Sequence, residues 1–153
     1  MTTTRDTYFK RIEAIESEFG VARLAARELL GRCKFDPMTV QAHGLRPRDI
    51  QRCLASLEDT YIIRLFAEFE TALREIQMRI RRLNQWPKTH ISDLINGIAG
   101  RLNIPTDNHR RLHEVRMYRN GLVHEGQKQG NLGFSECRSR IGAFLGFVPH
   151  HLG

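Results

Sequence analysis

The chain has 153 residues, with 41% hydrophobic and 27% charged residues. It is long enough to bury roughly 70% of its unfolded surface as one ordinary globular domain without covalent staples. Its net charge of +7 suits a polyanionic partner, nucleic acid first and an anionic membrane surface second. Cys33, Cys53 and Cys137 are odd in number and far apart, and no CxxC or Cys/His spacing occurs. Neither a zinc site nor a disulfide framework is indicated, and the pattern favours a reducing cytoplasm and three buried thiols.

Residues 1–6 lack the apolar core of a secretion signal, and no stretch approaches the length of a membrane span. From Tyr8 to Cys33, Phe9, Ile12, Ile15, Phe19, Leu24, Leu29 and Leu30 recur at helical spacing, and Gly20 marks a possible division into two helices. Asp36-Pro37 and Gly44-Leu45-Arg46-Pro47 are turn signals, with Pro47 well placed to open the next helix.

That helix, from about 48 to 84, is the architectural spine. Ile50, Leu54, Leu57, Tyr61, Leu65, Phe69, Leu73, Ile76, Ile80 and Leu83 form one apolar stripe, and neither Pro nor Gly breaks it. At 1.5 Å per residue it would be roughly 50 Å long. Trp86-Pro87 stops it, and Thr89 or Ser92 can cap a following helix built on Ile91, Leu94, Ile95, Ile98 and Leu102. Asn103-Ile104-Pro105 ends that one, and Asp107 can cap a helix over about 107–125 with Leu112, Val115, Leu122 and Val123 on its packing side. A glycine-rich loop from Gly126 to Gly133 precedes a last helix, capped by Ser135 and packed through Ile141, Phe144, Leu145 and Phe147. His150-His151 reads as a tail. The expected fold is all-α: an irregular four- to five-helix bundle in a single domain over 1–153, with residues 1–45 as a helical extension of a core over 48–147.

Chemistry concentrates in Arg119-Asn120-Gly121-Leu122-Val123-His124. No other Arg in the chain is followed by a His five to seven residues later. Arg is a permanent cation that grips phosphate bidentately, whereas His titrates near neutrality. On a helix, His113, Arg116, Asn120 and His124 share one polar face, with Arg119 beside it. RNA cleavage by its own 2′-hydroxyl needs a base, stabilisation of the phosphorane and protonation of the leaving 5′ oxygen. His124 fits the base or acid, Arg119 the charge stabilisation, and Asn120 the orientation of imidazole or phosphate. Arg116 and His113 are the candidates for substrate contact, and His113 also for the second proton carrier. Because His113 lies far from His124 on one helix, a two-fold dimer that pools both chains is the simpler source of that second group. No metal and no cofactor is implied. The plainer alternative is that Arg119 pairs with Glu70, Glu75 or Glu114 and that His124 merely ends a helix.

The Arg119-Asn120-x-x-x-His124 run, with Ile104-Pro105 and Val115-Arg116 before it and Leu122-Val123 within it, resembles the HEPN superfamily (the higher-eukaryote and prokaryote nucleotide-binding domain) in its RNxxxH form. Tyr61 to Glu70 is similar to an earlier long helix of that family, so the likeness spans about Asp49 to Gly126. It implies an α-helical bundle, a homodimer with motif helices lining a shared cleft, and metal-independent endoribonuclease activity in toxin–antitoxin pairs, phage defence or RNA processing. It also implies Arg119 and His124 as the catalytic pair, Asn120 as their companion, Glu70 as an acidic residue joining the site, an antitoxin or regulatory partner, and Tyr118 as a possible modification point. The alternatives are a non-catalytic RNA- or nucleotide-binding module and a structural dimerisation adaptor.

Overall fold

The computed structural model describes residues 5–124 and 130–152, so part of the expected glycine-rich loop lies outside the described residues. Among the described residues six helices follow one another: α1 (Arg5–Phe35), α2 (Met38–Gln41), α3 (Pro47–Arg81), α4 (Ile91–Arg101), α5 (Thr106–Val123) and α6 (Phe134–Leu145). The all-α expectation holds. The count exceeds four or five because a single turn, α2, forms where the sequence reads as a connection.

α1 is one helix and is not divided at Gly20. A Cβ at Gly20 would meet nothing within 4 Å, so this glycine costs about 1 kcal/mol of helix propensity at an open surface position and nothing in packing. Both flanks are anchored. Tyr8, Ile12, Ile15 and Phe19 join Ile62, Leu65, Phe66, Phe69, Leu73 and Ile76 of α3 in the main core. Beyond Gly20, Leu29, Leu30 and Cys33 meet Val40, Ile50 and Leu54 in a second, smaller cluster. Early α1 thus meets late α3 and late α1 meets early α3, which makes the pair antiparallel. The first half of α1 is therefore a full member of the bundle, and only its second half extends beyond. Leu24, 61% exposed between the two clusters, belongs to neither.

α3 starts with Pro47 in its first turn, where the missing N–H is no loss, and the Arg46 N–H donates to Asp49 Oδ2 at 2.9 Å. It ends at Arg81 because Arg82 turns left-handed (φ 51°), which leaves Leu83 outside the helix and partly exposed. Along its buried face Phe69 packs edge-on against Phe66 (centroids 5.8 Å) and against Phe144 of α6 (5.9 Å).

Three expected caps are replaced. His90, with Nδ1 accepting from the Ser92 N–H at 3.4 Å, caps α4 in place of Thr89 or Ser92. Pro105 precedes α5, and Asp107 sits in its first turn paired with Arg110. Gly133, not Ser135, precedes α6, whose Phe134 N–H donates to Glu58 Oε1 of α3 at 2.8 Å. This is a cap supplied from 76 residues away, with Glu58 also 3.3 Å from where a Gly133 Cβ would stand. Glu58→Ala should lower stability by about 1 kcal/mol, the usual worth of an N-terminal cap, read as a shift in the urea midpoint at unchanged slope.

The C-terminal segment is tied down: the Arg5 N–H donates to His150 O at 3.2 Å, and the His150 ring lies 3.5 Å from Asp6. His150 and His151 stack on each other and do not form a loose tail. Of the thiols, Cys33 and Cys137 are buried, and burial pushes Cys137 up to about 11, whereas Cys53 is exposed.

Candidate catalytic site on the motif helix

α5 is held by Leu112, Val115, Tyr118 and Gly121, all buried. This spacing of three fixes one side of the helix against the bundle and leaves His113, Arg116 and Asn120 half-exposed on another. Val123, expected on the packing side, is 48% exposed, and Met117 is 50% exposed. Tyr118 is buried and partnered, which shields its hydroxyl from modification in this conformation.

The helix stops earlier than expected. Val123 is its last residue, and His124 is the C-cap, with ψ 105° carrying the chain into extended geometry while its N–H still bonds to Asn120 O at 3.0 Å. The His124 ring is exposed. It is thus aimed by the helix end and not by the helix face, a placement the i, i+4 count alone does not give.

Arg119 is half-buried beside this stop. Its guanidinium lies over the Phe66 ring of α3, 5.6 Å from the centroid, and Nη1 donates to Asn120 Oδ1 at 3.1 Å. Nε is buried and has no hydrogen-bond partner among the described residues. The three acids that could have neutralised it are engaged elsewhere. Glu70 pairs with Arg74 at 2.7 Å, and Arg74 also donates to the Thr89 carbonyl at 3.1 Å. Glu75 binds Arg11 at 2.9 Å, and Glu114 binds Arg110 and Arg140, both at 2.5 Å. Among the described residues, then, none of these three acids is left to Arg119. An aromatic seat orients the cation without cancelling its charge, which is the condition under which it can meet a phosphate.

The structure brings Arg119 and Asn120 together and puts His124 one turn on from Asn120. With Oδ1 taken by Arg119, Asn120 keeps its amide donors for a phosphate oxygen or the imidazole. Glu70 is one turn along α3 from Phe66, but it serves Arg74 and through it the α3–α4 connection, not Arg119.

His113 and Arg116 belong to a different cluster. Arg116 Nε donates to His113 Nδ1 at 3.3 Å, and His113 Nε2 lies 2.9 Å from Asn96 Oδ1 of α4 and 3.1 Å from His109 Nε2. His109 Nε2 is itself 2.6 Å from the same Oδ1. The sequence pattern does not single out His109 or Asn96, although the HxxxH spacing of His109 and His113 is a visible signal for two rings on one helix face. Burial lowers the His113 pKa below its usual value, and His109 and Arg116 lower it further. The folded state therefore refuses a proton that the unfolded chain accepts near pH 6.5. Stability from this group is present above that pH and is lost as pH falls toward the folded pKa. Urea midpoints should decline from pH 7.5 to pH 5, and His113→Gln should flatten that decline.

Among the described residues no three His, Cys, Asp or Glu side chains group closely enough to hold a metal ion, and no helix is long and apolar enough to cross a membrane. An open hollow of about 430 Å³ lies at the C-terminal end of α3, lined by Arg79, Arg82, Leu83 and Trp86 among others, and it does not include the motif residues. Comparison with family models, curated proteins and solved structures finds no match for this chain.

Proposed function

We propose that this protein is a metal-independent endoribonuclease whose site is built on Arg119, Asn120 and His124. The observation that carries the reading is the state of Arg119, a guanidinium seated on Phe66 and steadied by Asn120, with every expected acidic partner committed to another base. A half-buried guanidinium with no acidic partner among the described residues, and with its Nε unbonded, is open to an anion, which would supply charge-assisted hydrogen bonds.

In the reaction, His124 takes the 2′-hydroxyl proton as the O2′–P bond forms. Arg119 and the Asn120 amide stabilise the pentacoordinate phosphorane. The P–O5′ bond then breaks, and a protonated imidazole delivers a proton to O5′, leaving a 2′,3′-cyclic phosphate and a 5′-hydroxyl. One chain supplies one exposed imidazole at this site, so the second comes from His124 of another copy across a two-fold axis. Met117 and Val123, both large, apolar and exposed on α5, flank the polar face and give such a dimer apolar surface to bury. The resemblance to HEPN domains points to the same assembly, to a role as a toxin or defence effector with an antitoxin-like partner, and to a cytoplasmic site of action.

Incubation of the purified protein with total RNA in EDTA tests this, beside Arg119→Ala. Cleavage that survives chelation and is lost in the variant supports the enzyme. Retained RNA binding without cleavage by the unmodified chain would instead mark a binding module, and neither activity would mark an adaptor.

A further inference from the structure

The open hollow of about 430 Å³ at the C-terminal end of α3 sets an exposed indole beside arginine. Trp86, the only tryptophan of the chain, stands on its wall at 49% exposure. Among the described residues no ring and no cation stacks on it. Its loop is nevertheless anchored: the adjoining Pro87 is buried, and Arg74 Nη1 donates to the carbonyls of Pro87 and Thr89. The bundle therefore fixes the backbone on either side of an indole that it leaves half uncovered.

The helix end beside it is equally fixed. Arg82 is left-handed (φ 51°), its N–H bonds to Arg79 O at 3.2 Å, and the Leu83 N–H bonds to Met78 O at 2.8 Å. Glu75, the acid on the wall of the hollow, accepts from Arg11 Nη1 at 2.9 and 3.1 Å and so does not serve Arg82. Around the same helix end, Arg81 and Arg101 line a small cleft between α3 and α4. Arg81, Arg82 and Arg101 are exposed, and among the described residues none of them pairs with an acid. The helix terminus brings about half a negative charge, which three cations outweigh.

We propose that this hollow holds one unpaired nucleotide of a single-stranded RNA, its base against Trp86 and its phosphate at Arg82, with Arg81 and Arg101 taking the continuing backbone. This rests on the reading of RNA as the substrate and adds a strand preference to it. Every base has a face to lay on an indole, so such stacking is tolerant of sequence, but in a duplex those faces are covered by neighbouring pairs. A guanidinium grips the phosphate in the same fork geometry whatever the base. An acidic peptide would satisfy the arginines, but its carboxylates bring no flat ring for Trp86. Arg82 follows Phe66 by 16 residues, roughly 24 Å along the helix, so the contact holds the strand and takes no part in the chemistry.

With one tryptophan in the chain, intrinsic emission reports on the hollow directly. The test is a fluorescence titration of the full chain with a single-stranded 2′-O-methyl oligonucleotide. That probe carries no nucleophile for cleavage, so the result is separable from that of the cleavage assay. Saturable quenching is expected, and little of it with the same sequence as a duplex. Arg82→Gly should weaken binding about fivefold or more and lower the slope of log affinity on log salt by about 0.7, the share of one phosphate contact on a single strand. Its melting temperature should stay equal or rise, because glycine favours the left-handed backbone, so weaker binding there is not misfolding. Trp86→Ala, followed by the anisotropy of a labelled oligonucleotide, should weaken binding about 5- to 150-fold. Absence of saturable quenching, equal quenching by the duplex, unchanged affinity in both variants, or equal displacement by polyglutamate overturns the proposal.

Discussion

Replacing His124 by alanine should lower RNA cleavage by about 100- to 10,000-fold, the range a positioned proton carrier supplies, and leave the melting temperature almost unchanged. The two halves of that expectation have separate physical grounds. The ring is exposed at the C-cap of α5, so its loss opens no cavity, and surface changes of this kind usually move stability by less than about 0.5 kcal/mol. The catalytic loss follows because no other imidazole is placed to act there: His113 is bound into the His109–Asn96–Arg116 cluster. Arg119→Ala should cost about 100- to 1,000-fold, as removal of one oxyanion donor does elsewhere. Here stability should fall as well, since the guanidinium covers Phe66. Arg119→Lys should not restore activity, because an ammonium lacks the planar fork that both stacks on the ring and grips phosphate. Initial rates on total RNA, normalised to folded protein, measure all three.

The largest effect on stability should come from Phe69→Ala. Phe69 is fully buried, packs edge-on against Phe66 and Phe144, and so couples α3 to α6 and to the ring that seats Arg119. Truncation removes both aromatic contacts and leaves a void that the long helices cannot close. The expected cost is about 3–5 kcal/mol. For a domain of this size that lowers the melting temperature by roughly 10 °C. Leu24→Ala is the contrast, because Leu24 lies outside both clusters, and its change should stay within about 0.5 kcal/mol. Thermal denaturation followed by circular dichroism separates the two.

Sequence periodicity located what depends on local spacing. The stripe on α3 from Ile50 to Ile80 lies in or against the two clusters as its three- and four-residue steps require. Residues settled by distant partners were not legible in this way. The cap of α6 comes from Glu58 on α3, and the local signal at Ser135 pointed two residues too far. Gly20 looked like a break because its propensity cost is local, whereas the burial that holds α1 straight comes from α3 on both sides. Leu24 matched the helical period but faces the gap between the clusters, where no partner helix stands over it.

At the site, the proximity of Arg119, Asn120 and His124 was readable from their numbers alone. The aromatic seat on Phe66 was not, because it depends on how α5 crosses α3. Nor was the assignment of Glu70, Glu75 and Glu114 to other arginines, which leaves Arg119 without an acidic partner among the described residues. The exit of His124 from helical geometry was hidden too, since Val123 continued the apolar pattern while turning out to solvent.

The most direct test of the central claim is the chemistry of the RNA ends produced in EDTA. Products ending in 2′,3′-cyclic phosphate with 5′-hydroxyl partners, formed by the unmodified protein and absent with His124→Ala, are the predicted result. Products bearing 5′-phosphates, cleavage that stops on chelation, or cleavage undiminished by His124→Ala would contradict it.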